Sequence, residues 1–137
     1  MKIYALESLA GLPAFATYFA LAVLLLGAFL VIYLWMTPVP EIKLIREGNT
    51  AASASLSGAV IGFVLPLASA VENSESLVDM LVWALIALLV QLFAYFLVHR
   101  LLPHLPRDVA DGKLASGVFL AASSISFGLL NAACMTY

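Results

Sequence analysis

This sequence predicts an all-α membrane protein with four transmembrane helices, and three observations predict it. The chain is 64% hydrophobic and only 10% charged, with a mean hydropathy of +1.10 over 137 residues. A soluble domain this small has too little interior to hide that much apolar surface, so its solvent is lipid. The apolar residues fall into four stretches, each near the ~20 residues a helix needs to cross a bilayer core. The charges gather in the connectors TPVPEIKLIREGN, ENSES and HRLLPHLPRDVADGK. Backbone polar groups cannot go unpaired in hydrocarbon, and runs this long without two-residue alternation are helices rather than barrel strands.

The first span is expected from about Ala14 to Met36, uncharged throughout. Its apolar run exceeds the ~7–15 residues of a signal-peptide core and no small-residue cleavage site follows it, so it reads as a retained helix. The second span is expected over about Ala51–Val71, the third over about Leu77–Val98 with Asp79 at its mouth, and the fourth over about Leu114–Met135. Lys43 and Arg46 lie between spans one and two; Arg100, Arg107 and Lys113 lie between three and four. Only Lys2 stands on the other side, so both basic connectors are expected in the cytoplasm and both termini in the periplasm. Tyr18, Tyr33, Trp35, Trp83, Tyr95 and Tyr137 sit toward span ends, where interfacial aromatics gather. A net charge of −2 with scattered basic residues argues against nucleic-acid binding.

The single domain, residues 1–137, reads as two tandem two-helix repeats, about 10–72 and 76–137. A 64-residue shift lays Glu47-Gly48-Asn49 on Asp111-Gly112-Lys113, and seven of 24 positions are identical from 47–70 to 111–134. Two-span units enter the membrane in the same orientation, so the expected symmetry is a pseudo-twofold about the membrane normal. An inverted repeat, which would point to a midplane transport site, is not what this pattern predicts. Spans one and three carry bulky Leu, Phe, Trp and Val, whereas two and four are rich in Ala, Ser and Gly. In span two, Ala51, Ser55, Gly58, Gly62 and Pro66 form one stripe; in span four, Gly117, Ala121, Ser124, Gly128 and Asn131 form another. Small residues let helices approach closely in lipid, so spans two and four are expected at the centre, with one and three outside.

The candidate positions are Asn49, Thr50, Pro66, Gln91, Asn131 and Cys134. Asn49 or Thr50 is expected to cap span two, with Gly48 making the turn. Pro66 removes one helical hydrogen bond and is expected to kink the helix, with Ser57 and Ser69 near enough to serve freed groups. Gln91 and Asn131 are intramembrane amides suited to bonds between helices. Alongside Ser123, Ser124 and Ser126 they would also line a polar path. Cys134, alone of its kind, reads as a small hydrophobe near the outer end of span four, distant from His99 and His104. No catalytic, metal or cofactor residue is assigned. No Asp, Glu, Lys or Arg lies near the centre of a span, which argues against ion-coupled transport.

The stretches EGNTAASASLSGAVIGFVLPLASA (Glu47–Ala70) and FGLLNAACMTY (Phe127–Tyr137) resemble the YjfL-type family of small bacterial inner-membrane proteins, of unknown function. The resemblance covers the whole chain. It implies residence in the bacterial inner membrane, and the company such proteins keep with membrane-stress proteins implies a part in envelope homeostasis, with a cytoplasmic membrane-stress partner. Two function classes follow. The first is a non-enzymatic oligomeric scaffold or accessory in the envelope. The second is a channel or facilitator for a small solute or ion along the Ser/Asn faces of spans two and four.

Overall fold

A computed structural model of the chain describes residues 2–135. Tyr137, read as an interfacial aromatic, lies outside the described residues. The described residues form helices only: α1 (Lys2–Leu9), α2 (Leu12–Met36), α3 (Glu41–Arg46), α4 (Thr50–Asn73), α5 (Leu77–Leu101), α6 (Leu105–Ala110) and α7 (Leu114–Ala133). Four helical stretches are long and apolar enough to cross a membrane: Lys2–Met36, Thr50–Asn73, Leu77–Leu101 and Leu114–Ala133. The four expected spans correspond to α2, α4, α5 and α7. The short helices α1, α3 and α6 were not expected. A turn at Ala10-Gly11 separates α1 from α2, and Pro13 follows within the first turn of α2, where a missing N–H leaves no helical bond unmade.

The centre of the molecule is the contact between α4 and α7, which run parallel. A Cβ added to Gly58 would collide with Ala121 Cα, and one on Gly62 with the Ser124 carbonyl oxygen. On α7, a Cβ at Gly117 would strike the Ala51 carbonyl oxygen and one at Gly128 the Gly62 carbonyl oxygen. The two backbones thus touch where glycine removes the side chain, as lipid-embedded helices require when packing rather than water drives association. All five residues of the α4 stripe are buried, from Ala51 to Pro66. On α7, Gly117, Gly128 and Asn131 are buried.

Helix α4 stays continuous through Pro66. Proline leaves the carbonyl of Gly62, four residues earlier, without its helical donor. That oxygen faces Gly128, where any side chain would collide with it. Ser69 does not serve the freed carbonyl, contrary to expectation: its hydroxyl donates to the Ala132 carbonyl at 3.2 Å, binding α4 to α7. Ser57 is exposed.

Helix α2 buries only Leu25, Phe29 and Tyr33, one row at four-residue spacing. Phe29 stacks on Phe63 of α4 with centroids 4.5 Å apart. Helix α5 buries Met80, Ala84, Ala87, Leu88, Gln91 and Ala94. The remaining faces, including Leu24, Val31, Trp35, Leu89, Phe93 and Phe96, stay exposed, as side chains against lipid must. Of the expected interfacial aromatics, Trp35 is exposed, but Tyr33 is buried.

The connectors before α4 and α7 share one geometry. Helices α3 and α6 are each followed by an acidic residue, a left-handed glycine (Gly48 at φ +88°, Gly112 at φ +82°) and the cap of the next helix. The Gly48 N–H donates to Ile45 and the Asn49 N–H to Leu44; the Gly112 N–H donates to Val109 and the Lys113 N–H to Asp108. Both are the paired closure that ends a helix at a left-handed residue, which only glycine adopts without a steric penalty.

Candidate functional site

The polar centre of the molecule lies where the α2–α4 connector folds back over the bundle end. Thr37 follows α2, its hydroxyl donating to the Tyr33 carbonyl at 2.7 Å. Thr37 precedes Pro38 and is extended, as a residue before proline prefers, so the chain leaves the helix sharply. Val39 and Pro40 then bring Glu41, the first residue of α3, back over Tyr33. Glu41 is only 3% exposed.

Around its carboxyl the Tyr33 hydroxyl donates to Oε1 at 3.3 Å, while Oε2 is buried with no hydrogen-bond partner. Tyr95 of α5 meets Tyr33 edge-on with centroids 4.8 Å apart, and its hydroxyl donates to Thr37 Oγ1 at 3.3 Å. His99, one turn later, packs on the Tyr95 ring at 5.5 Å. A cavity of about 10 Å³ joins these groups with Ser55 of α4, closed by Pro106 and Val109 of α6 and Leu120 of α7. Such a volume is close to the smallest that holds one water. No lysine or arginine lines it. Burial pushes the Glu41 carboxyl up from 4.5 to about 7, the Tyr33 hydrogen bond opposing that rise.

A second cavity, also about 10 Å³, continues the first into the membrane-spanning part. The two share Tyr33, Tyr95 and Leu120, and the deeper one reaches Gln91, Ser123 and Ser124. Gln91 donates from Nε2 to the Ser124 carbonyl at 2.9 Å, and its Oε1 is buried without a partner. Each cavity is therefore lined by one residue with an unpaired buried oxygen. Leaving a buried polar atom unpaired costs about 1–3 kcal/mol, and the two residues that do so line adjoining cavities.

The Glu41 cluster is also asymmetric. Sixty-four residues on from Tyr33, Thr37, Glu41 and Ser55 stand Leu97, Leu101, Leu105 and Phe119. Leu105 is buried like Glu41, so the second connector fills with a hydrocarbon side chain the place where the first puts a carboxyl.

The residues singled out from sequence fall in several places. Asn49 caps α4, accepting from the Ala52 N–H at 3.0 Å, and donates to the Val109 and Ala110 carbonyls at 2.8 and 3.3 Å, tying one connector to the other. Thr50 is the exposed first residue of α4. Asn131 donates to the Ala87 carbonyl at 3.2 Å, joining α7 to α5. Pro66 belongs to the α4–α7 seam. Cys134 is exposed. Gln91 alone of these lines either cavity. Glu41, Tyr33 and Tyr95 were missed as a group: a connector glutamate and two span-end tyrosines look ordinary one by one. The alternation of Pro38 and Pro40 just ahead of Glu41 was the available sign of a chain reversal. Among the described residues no group of three or more His, Cys, Asp or Glu side chains stands ready to hold a metal.

Comparison with known proteins gives a consistent picture. The chain is 40% identical over 127 residues to the UPF0719 inner membrane protein YjfL of Escherichia coli strain K12, covering 93% of this chain and 96% of that protein. It is 24% identical over 120 residues to the UPF0719 transmembrane protein YshE of Bacillus subtilis strain 168, covering 86% and 90%. No solved structure matches. Residues 7–135 match the Domain of Unknown Function family DUF350. With four membrane-length helices and that match across nearly its whole length, the chain belongs to the DUF350 family of membrane proteins.

Proposed function

We propose that this chain is a multi-pass protein of the bacterial inner membrane and acts, without catalysing a reaction, as a channel or facilitator for a small solute or ion. The observation that carries the reading is a polar track: two cavities in series from Glu41 to Gln91 and Ser124, each lined by one residue with an unpaired buried oxygen. The route differs from the one expected along α4 and α7. Their facing backbones leave no room between them, and the track runs beside that seam, among α2, α5 and α7. The positive-inside asymmetry orients both connectors to the cytoplasm and the termini to the periplasm, so the Glu41 end opens the track from the cytoplasmic side. The test is solute and cation flux into liposomes containing the purified protein. The reading expects flux that falls on Gln91→Leu; flux equal to that of protein-free liposomes for small cations and small neutral solutes alike removes it.

The matching connectors support a tandem duplication of one two-helix unit with a pseudo-twofold about the membrane normal. The Schellman-type closures at Gly48 and Gly112, and α4 and α7 running parallel, are what such an origin leaves behind. The polar cluster is then the place where one copy has diverged.

The second reading, an oligomeric scaffold in envelope homeostasis with a cytoplasmic membrane-stress partner, has one feature in its favour. An open apolar groove of about 560 Å³ lies between α2 and α4, lined by Phe19, Val23, Leu26, Val64, Leu67 and Val71. It is wide enough for side chains of a neighbouring copy. Cross-linking in native membranes that finds monomers without partners removes that reading.

A further inference from the structure

The Glu41 cavity presents a chemical problem that its own residues do not solve. A carboxyl 3% exposed, with Oε2 unpaired, accepts from the Tyr33 hydroxyl and lines one cavity with Thr37, Ser55, Tyr95 and His99. The other lining side chains from the connector, α6 and α7 (Val39, Pro106, Val109 and Leu120) are apolar. An unpaired anion in such surroundings is strongly disfavoured, and no lysine or arginine lines the cavity to neutralise it. Two neutralising species remain, a proton and a metal cation.

A proton on Oε2 removes the charge and engages at most one of the hydroxyl oxygens in the lining; on Oε1 it leaves Oε2 as unpaired as before. A cation in the cavity engages Oε2 and draws on the hydroxyl oxygens at once. A divalent ion asks for six or more oxygens, several of them waters or charged, and this cavity has one carboxylate and room for about one water-sized body.

We infer that the Glu41 cavity binds one small monovalent cation of sodium's class, held by the Glu41 carboxylate with oxygens of Tyr33, Thr37, Ser55 and Tyr95. The inference names the substrate class of the track and rests on the facilitator reading for what the ion does next. The rise of the carboxyl to about 7 adds a consequence: proton and cation compete for the same oxygen near neutral pH.

The test is thermal stability of the full chain in detergent at pH 8, with NaCl, KCl or choline chloride at equal ionic strength. NaCl is expected to raise the unfolding temperature above that in choline chloride, KCl less so. In Glu41→Gln the apparent sodium affinity falls at least about tenfold, a loss of 1.4 kcal/mol or more. Tyr33→Phe, which keeps the packing and removes one oxygen, weakens it to a smaller degree and serves if the Glu41→Gln variant does not fold. Identical stability in sodium and choline, or a sodium effect unchanged in both variants, overturns the inference. So does a stability that follows pH alone, which would assign the cavity to a proton and a water. Sodium flux into liposomes separates the two proposals. Glu41-dependent binding without flux keeps the site and removes the facilitator, whereas flux without Glu41-dependent binding does the reverse.

Discussion

The α4–α7 seam and the Glu41 cluster are solved on opposite physical principles. In the seam, polarity and side-chain volume are both removed: Gly58, Gly62, Gly117 and Gly128 bring backbone against backbone. At the bundle end, the Glu41 carboxyl at the start of α3 is buried with Tyr33 and Ser55, whereas the residue buried at the start of α6 is Leu105. The seam is what a four-helix membrane protein of this size needs in order to hold together. A buried carboxyl is not needed for that, since Leu105 fills the buried first position of α6 with hydrocarbon. The contrast separates the part of the molecule that makes the fold from the part available for function.

The largest loss is expected at the seam. Gly128→Leu, or Gly62→Val, drives a side chain into the opposing backbone, which side-chain rearrangement does not relieve. The expected cost is on the order of 3 kcal/mol or more, read as loss of monodisperse protein on size-exclusion chromatography. Gly27→Ala is the control, because nothing lies within 4 Å of a Cβ there. It is expected to be neutral or to stabilise by roughly 0.5–1 kcal/mol through helix propensity.

Glu41 comes next. Its folded-state value of about 7 lies above the unfolded 4.5, so the folded protein holds an extra proton between those pH values. Stability is therefore greatest below about pH 4.5 and falls as pH rises to about 7, by up to roughly 3 kcal/mol without a bound cation. Glu41→Gln removes that slope, which thermal melts across the pH series would read directly. A smaller loss is expected for Asn49→Ala, about 1–2 kcal/mol, because it deletes a helix cap and the side-chain bonds to the Val109 and Ala110 carbonyls. Asn131→Ala is milder, about 1 kcal/mol, the usual scale of a bond between membrane helices. With no effect on stability at all, Cys134 in intact cells should react with a membrane-impermeant maleimide from the periplasm; protection until the membrane is opened would invert the topology.

The fold was legible to an unusual depth because lipid imposes simple rules. Span positions followed from apolar length, and the five-residue stripe Ala51–Ser55–Gly58–Gly62–Pro66 was enough to name the buried face of α4. Its partner stripe on α7 was legible for the same reason: small residues at helical spacing have few other uses in a bilayer. The site was much less legible. Tyr33 at a span end has the same sequence signature whether it faces headgroups or the core, and Glu41 in a charged connector looks solvated. What buries them is the chain reversal through Pro38 and Pro40 and the cover supplied by α6, some 65 residues away, neither of which periodicity reports. Gln91 was legible as an intramembrane amide, but its unpaired Oε1 emerges only once α5 and α7 are placed together.

Glu41, a connector residue, is enclosed at the bundle end, where burial holds its carboxyl well above the ordinary glutamate range. Infrared difference spectra of the wild type minus Glu41→Gln, taken across a pH series in choline chloride, test it most directly. A protonated-carboxyl band assigned to Glu41 is expected to persist in mild acid and to disappear with a midpoint near 7. A Glu41 band that is already gone above about pH 5, as for a solvent-exposed glutamate, would contradict it.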